Sequence, residues 1–208
     1  MADARDPEKT RRKLLEAALE EIHRKGFQAA SLSAILERAE MTKGAMYHHF
    51  PNKKALGLAV VDELLPAIFE EEFNLYLDAK DSFVEGFIHA HEVFLANRGA
   101  SFIELGCPVA KLAEEMSPID EDFRTRVDAL YRWGMETMAE QIRQGQRAGN
   151  IRSDIQADDA SLFIFAAREG CESVLKATQD TDIMHRCLNQ LFAFVKSLEP
   201  TEQGSSDR

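Results

Sequence analysis

The residues best suited to chemistry on a partner are gathered in Met41-Thr42-Lys43-Gly44-Ala45-Met46-Tyr47-His48-His49-Phe50. Thr42 can cap a helix, because its hydroxyl accepts from backbone N–H groups that a first turn leaves unpaired. Lys43, Gly44 and Ala45 then make a helix start with one positive charge and almost no bulk, so backbone can approach whatever it docks on. Tyr47, His48 and His49 follow one turn later with donors that suit phosphate oxygens. The competing roles are a core aromatic for Tyr47 and a solvated surface position for His48.

A second group with reactive chemistry is Leu105-Gly106-Cys107-Pro108-Val109. Pro108 suits the first position of a helix, which places Cys107 at the N-cap. A thiol there feels the positive helix end and is expected to form a reactive thiolate; the alternative is a small buried apolar cysteine. Cys171 and Cys187 lie within apolar helical stripes and read as core, and three cysteines without close pairs point to a reducing compartment. His23, His89, His91 and His185 show no paired spacing with the cysteines, so no metal site is expected, and no cofactor. Arg168 and Glu169 interrupt the apolar run Leu162–Ala167, and charges in such a helix must be paired or solvated. They can form ion pairs at a subunit interface or anchor a ligand. Trp133 with Met116, Met135 and Met138 can line an adaptable cavity or pack a core. No nucleophile–base pair and no Gly-rich phosphate loop is present, so no enzyme is expected. A helical enzyme acting on a hydrophobic small molecule remains as the reading from another class.

The elements that must hold these residues are helices. From Ser31 to Ala39, Leu32, Ile35, Leu36 and Ala39 share one face, giving a short helix just before the Thr42 segment. Two short helices joined by a tight turn, the second with a small, basic, donor-rich start, describe a helix-turn-helix. Sequence-specific DNA binding is the first expectation. Thr10 to Lys25 carries Leu15, Ala18, Leu19 and Ile22 on a stripe, and Gly26 stops it. Asn52 is a natural N-cap for a helix starting at Lys53, with Leu56, Val60 and Leu64 inward, and Pro66 should kink or end it. Further helices are expected at about 81–98, 108–116, 120–148, 157–179 and 181–198, with Gly99, Pro118, Gly149-Asn150 and Asp180 as breaks. No segment alternates long enough to argue for a strand, so the fold class is all-α.

Charge divides along the same line. The net charge is −11, yet residues 1–55 hold 11 Lys/Arg against 8 Asp/Glu, leaving 14 against 28 in the remainder. An acidic body on a basic head, with Lys9, Arg11, Arg12, Lys13, Lys43, Lys53 and Lys54, favours DNA docking in one orientation. A solvated charge face is the bland alternative. The predicted organisation is a helix-turn-helix domain over 1–55, an effector and dimerisation domain over 56–200, and a disordered tail over 201–208. No apolar run approaches the ~18 residues of a membrane span, and Ala2–Glu8 lacks the apolar core of a signal peptide. A cytoplasmic location is expected.

Gly26, Ser31-Leu32, Ile35, Ala39, Met41–Phe50 and Asn52–Leu56 together resemble the DNA-binding region of TetR-family bacterial transcriptional regulators. The match spans about residues 8–60. One departure is Glu40, where the family usually has Gly in the turn. The resemblance implies a homodimer on a pseudo-palindromic operator, released when a small molecule fills the C-terminal domain. It also implies base-edge contacts from Lys43, Gly44 and Ala45, phosphate contacts from Tyr47, His49 and Lys53, and a supporting helix carrying Ser31 and Ser33. Around Cys107 the chain resembles NemR-like repressors, a TetR subgroup that detects electrophiles through one cysteine, with Lys176 at the place of an approaching lysine. The expected function is a repressor responding to a small molecule or electrophile. The alternatives are an activator, or a repressor with a non-covalent apolar effector and an inert Cys107. The last apolar stripe, Met184, Cys187, Leu188, Leu191, Phe192, Val195 and Leu198, is expected to pair with its copy beside residues 160–176.

Overall fold

Helix starts follow the caps that the sequence supplies. In the computed structural model, which describes residues 6–71 and 82–200 without the side chains of 94–102, Asp6 accepts from the N–H groups of Glu8 and Lys9. With Pro7 at the first position, α1 runs Pro7–Lys25, three residues ahead of the start read at Thr10. Ser31 caps α2 (Leu32–Ala39), Thr42 caps α3 (Lys43–His49) and Asn52 caps α4 (Lys53–Ala59), each through a side-chain oxygen on the third residue beyond. The chain stays helical to residue 71, through a π-helical turn at Val60–Leu64. Pro66 therefore does not end the helix. The wider turn before it lets the preceding carbonyls shift away from the ring that would otherwise clash.

The remaining helices are α5 (Phe83–Leu105), α6 (Pro108–Met116), α7 (Glu121–Ala148), α8 (Ala157–Thr178) and α9 (Thr181–Lys196). Their bounds match the spacing of the breaks, with one correction. Gly99 does not stop α5, which continues to Leu105 and ends at Gly106 with φ 69°. A mid-helix glycine costs about 1 kcal/mol relative to alanine, which lowers helix propensity without forbidding the conformation. The tail read at 201–208 lies outside the described residues.

Two compact units emerge, and their boundary is not at Leu56. The first contains residues up to Ile68 together with Cys107–Leu130; the second contains Phe69–Gly106 and Tyr131 onward. In the first, Phe27 packs on Phe123 with ring centroids 4.7 Å apart. Lys54 bridges Asp120 and Asp122 at 2.7 and 2.8 Å, and Arg126 meets Asp62 at 2.9 Å. These partners are far apart in sequence, so no linker composition marks the boundary.

In the second unit the buried residues include Phe87, Met138, Ile142, Ile164, Leu175 and Val195. Met184, Leu188 and Leu191 of α9 are also buried, so the stripe proposed as a subunit contact is already covered within one chain. Exposed large apolar residues of this unit are Leu162, Phe163 and Val174 on α8 and Trp133 on α7. Cys171 and Cys187 are not simple core residues. A disulfide joins them across α8 and α9, at a Cα separation of 5.9 Å. Two cysteines 16 residues apart become neighbours only once those helices pack antiparallel.

Candidate nucleic-acid interface

The α2–α3 turn is closed by backbone. Glu40 takes the left-handed conformation at φ 56° and ψ 40°, the place where glycine is easiest. Its N–H reaches the Glu37 carbonyl, and the Met41 N–H reaches Leu36 at 2.9 Å, a Schellman closure. The geometry glycine would supply is thus held by two hydrogen bonds.

From that turn α3 buries Met46 and rests on Phe50, both nearly inaccessible. Thr42, Lys43, Gly44, Tyr47 and His48 are exposed, while Ala45 and His49 are half-buried. Tyr47 is 47% exposed, so it is not a core aromatic. The Thr42 hydroxyl accepts from Ala45 N–H at 3.2 Å, which leaves the Lys43 and Gly44 backbone at the outer end. Behind this face, the Ser31 and Ser33 hydroxyls lie 2.6 Å apart. Glu21, buried in α1, accepts from Lys25 at 3.0 Å and from Ser31 N–H at 3.3 Å. The Lys25 hydrogen bond holds its carboxyl below the ordinary range, against the opposing effect of burial.

Not every basic residue of the head faces outward. Lys53 donates to the Gln28 carbonyl at 3.0 Å and sits 4.9 Å from the Phe27 ring centre. Burial pushes its ammonium below the ordinary lysine value, with Glu115 opposing. Lys54 is engaged by Asp120 and Asp122, and Arg11 by Glu63 while lying 4.4 Å over the Phe50 ring.

Lys111 and Glu115, which sequence reading missed, grip this domain from α6. Lys111 donates to the His23 and Arg24 carbonyls at the end of α1, at 2.9 and 3.0 Å. Glu115 accepts from the N–H groups of Phe27 and Gln28 at 2.7 and 2.8 Å. A Cβ on Gly26 would lie 2.6 Å from the Glu115 carboxylate. In the sequence the two look like an ordinary i,i+4 ion pair on one helix, and only the fold turns both toward α1.

Residues 14–60 match the model for bacterial regulatory proteins of the tetR family, and 87–191 match the tetracyclin repressor-like C-terminal domain. The chain belongs to the TetR family. It carries the family's helix-turn-helix DNA-binding domain followed by a C-terminal helical domain of the tetracyclin repressor-like type. Among its relatives is the repressor DhaR of Mycobacterium sp. strain GP1, 25% identical over 208 residues and 98% of each chain. The repressor NemR of Escherichia coli K12 is 25% identical over 137 residues, 66% of this chain and 69% of NemR. The crystal structure of reduced E. coli NemR superposes with a TM-score of 0.79 at 22% identity, covering 94% and 100% of the two chains. A TetR-family regulator from Cytophaga hutchinsonii gives 0.85 at 19% identity over 96% and 100%.

Within this TetR-family chain the residues read as effector contacts divide between the units. Cys107 belongs to the first, and Lys176, Trp133, Arg168 and Glu169 to the second. Cys107 is the N-cap of α6, as its position before Pro108 predicts, with Ala110 N–H directed at its sulfur at 3.5 Å. It is 8% exposed. The Lys176 stem covers the preceding Gly106, where a Cβ would lie 3.0 Å from Lys176 Cδ. Arg168 is buried and pairs inside its own helix, its Nε 3.1 Å from Glu172 and a terminal nitrogen 3.9 Å from Glu169. Trp133 packs on Phe69 and remains 37% exposed, while Met116 and Met138 are buried in different units. No helix of the described residues is long and apolar enough to cross a membrane.

Proposed function

We propose that the protein acts as a homodimeric repressor on a pseudo-palindromic operator and releases it when an electrophile reaches Cys107. The observation that carries the DNA-binding part is the outward face of α3, small at Gly44 and Ala45 and cationic at Lys43. Lys43 can address guanine O6 and N7 in the major groove, while Tyr47, His48 and His49 provide phosphate donors one turn away. Thr42, Ser31 and Ser33 hold the two helix starts. Lys53 keeps its carbonyl partner through one N–H and has two more to offer a phosphate.

The two recognition helices must lie roughly 34–36 Å apart to enter successive major grooves. The exposed apolar residues of α8, with small Ala166 and Gly170 between them, support a subunit contact there. The electrophile response is supported by Cys107 at the start of the helix whose Lys111 and Glu115 grip α1. Alkylation would add bulk at the cap and leave its sulfur a neutral, weaker acceptor for Ala110 N–H, shifting α6 and the α1–α2 turn with it. The test is a gel shift on the palindromic DNA beside the gene, with and without N-ethylmaleimide, for wild type and Cys107→Ser. Release by the electrophile in wild type alone supports the reading. Equal release from both, or from neither, assigns control to a reversible ligand.

A further inference from the structure

Cys171 on α8 and Cys187 on α9 are joined 16 residues apart in sequence, with Cα atoms 5.9 Å apart. The two helices have other reasons to meet. Leu175 of α8 and Met184, Leu188, Leu191 and Val195 of α9 are all buried, and apolar packing of this kind does not depend on a covalent bond. Such packing keeps α8 against α9 when the bond is open, and the 5.9 Å Cα separation lies within the usual range for a disulfide. Cys171 is 9% exposed and Cys187 is half-buried, which leaves one sulfur approachable by a small reagent. Farther along α8, Phe163 meets Phe194 of α9 with ring centroids 4.5 Å apart. The bond and the ring contact therefore hold α8 on α9 at two points along the helix that carries exposed Leu162, Phe163 and Val174.

We propose that Cys171 and Cys187 form a reversible dithiol–disulfide centre, separate from Cys107, whose oxidation by a peroxide fixes α8 on α9 and tightens the subunit contact. The effect on assembly rests on the α8 subunit reading above. In the oxidation, the Cys187 thiolate attacks a peroxide oxygen, the O–O bond breaks, and a sulfenic acid and one water form. The Cys171 thiolate then attacks that sulfur, the S–O bond breaks, the S–S bond forms, and a second water leaves. Two electrons pass from the thiols to hydrogen peroxide, and the two thiol protons end in the two waters. In reduction, a dithiol attacks the Cys187 sulfur to give a mixed disulfide. Its second thiolate closes a cyclic disulfide and returns both cysteines to thiols.

The full chain carrying Cys107→Ser is treated with hydrogen peroxide or with dithiothreitol, without denaturant, then alkylated and weighed. The peroxide-treated chain is expected to take up no alkyl group and to be about 2 Da lighter before alkylation than the reduced chain, having lost two hydrogens. The dithiothreitol-treated chain should take up two alkyl groups. Sedimentation at falling concentration should show oxidised dimers persisting to several-fold lower concentration than reduced ones. Two alkylatable thiols after peroxide, or a disulfide that resists dithiothreitol in the folded chain, overturns the centre. Coincident dissociation curves for the two forms overturn its effect on assembly. Adding Cys171→Ser and Cys187→Ser should abolish the difference between the treatments, and a difference that survives them overturns the assignment. Monomers in both states refute the α8 subunit reading, and the effect with it, even where the thiol count switches.

Discussion

At the residue scale the two lysines of the recognition region have different surroundings and should fail differently. Lys43 is exposed at the start of α3, so Lys43→Ala should relax base preference at one operator position, measured by binding to a set of single-base operator variants. Unchanged preference would remove it from base reading. Lys53 is held by the Gln28 carbonyl and the Phe27 ring. Lys53→Ala should weaken all sequences about equally, lower the salt slope by roughly one unit, and also lower the melting temperature. Glu21 gives a pH signature. Its carboxyl lies below the ordinary value of 4.5, chiefly through the Lys25 hydrogen bond. Its stabilisation is therefore complete above that value and is lost as pH falls through the lower folded one. Glu21→Gln should flatten that part of the acid-unfolding curve, followed by circular dichroism. The caps Thr42, Asn52 and Cys107 were legible because capping is local, set by a residue and the three that follow, while Ser31, read as the first residue of its helix, is the cap instead. The inward turn of Lys53 and the opposed duties of Lys111 and Glu115 were not, since their partners lie 25 to 88 residues away.

At the element scale, α6 is the part of the first unit whose grip on the helix-turn-helix domain can be cut without touching the DNA face. Glu115 accepts two N–H groups at the α1–α2 turn, and a charged acceptor lost from such donors costs about 1–3 kcal/mol. Glu115→Ala should lower stability by that order and weaken operator binding, whereas Glu115→Gln, which keeps one acceptor oxygen, should lose less. Urea melts and gel shifts on the three proteins check it, and a wild-type Glu115→Ala would sever α6 from this role. Gly26 belongs to the same joint: at φ 85° and ψ 162° it occupies backbone space that is nearly exclusive to glycine, with a strain of about 1–3 kcal/mol for other residues. Helix periodicity and breaks disclosed the elements nearly to the residue. The exceptions are positions that departed from a residue's usual preference: Gly99 inside α5, Pro66 after the π turn, and Glu40 in a left-handed turn. None has a local signal that distinguishes tolerance from termination.

At the scale of the whole molecule, the question is which apolar surface belongs to the subunit and which to its partner. Composition cannot answer it, because a core stripe and an interface stripe use the same residues at the same 3.6 spacing. The α9 stripe looks in sequence as fit for a partner as the α8 face does, and only the fold divides them, burying Leu188 and Leu191 while leaving Phe163 52% and Val174 47% exposed. The two pairs should therefore respond differently to the same change. Phe163→Glu with Val174→Glu places charge on half-exposed positions and gives up the Phe163–Phe194 ring contact, so the monomer should keep its helical content with a modest loss of thermal stability while the dimer is lost. Leu188→Glu with Leu191→Glu instead buries two charges against α8, at a cost of several kcal/mol per ion, and should unfold the second unit before any question of assembly arises. Sedimentation and thermal melts, run together on both variants, separate the cases. Folded monomers from the α8 variant should also bind operator far more weakly than wild type, since each carries a single half-site contact. A folded α8 variant that still sediments as a dimer would move the interface away from Phe163 and Val174.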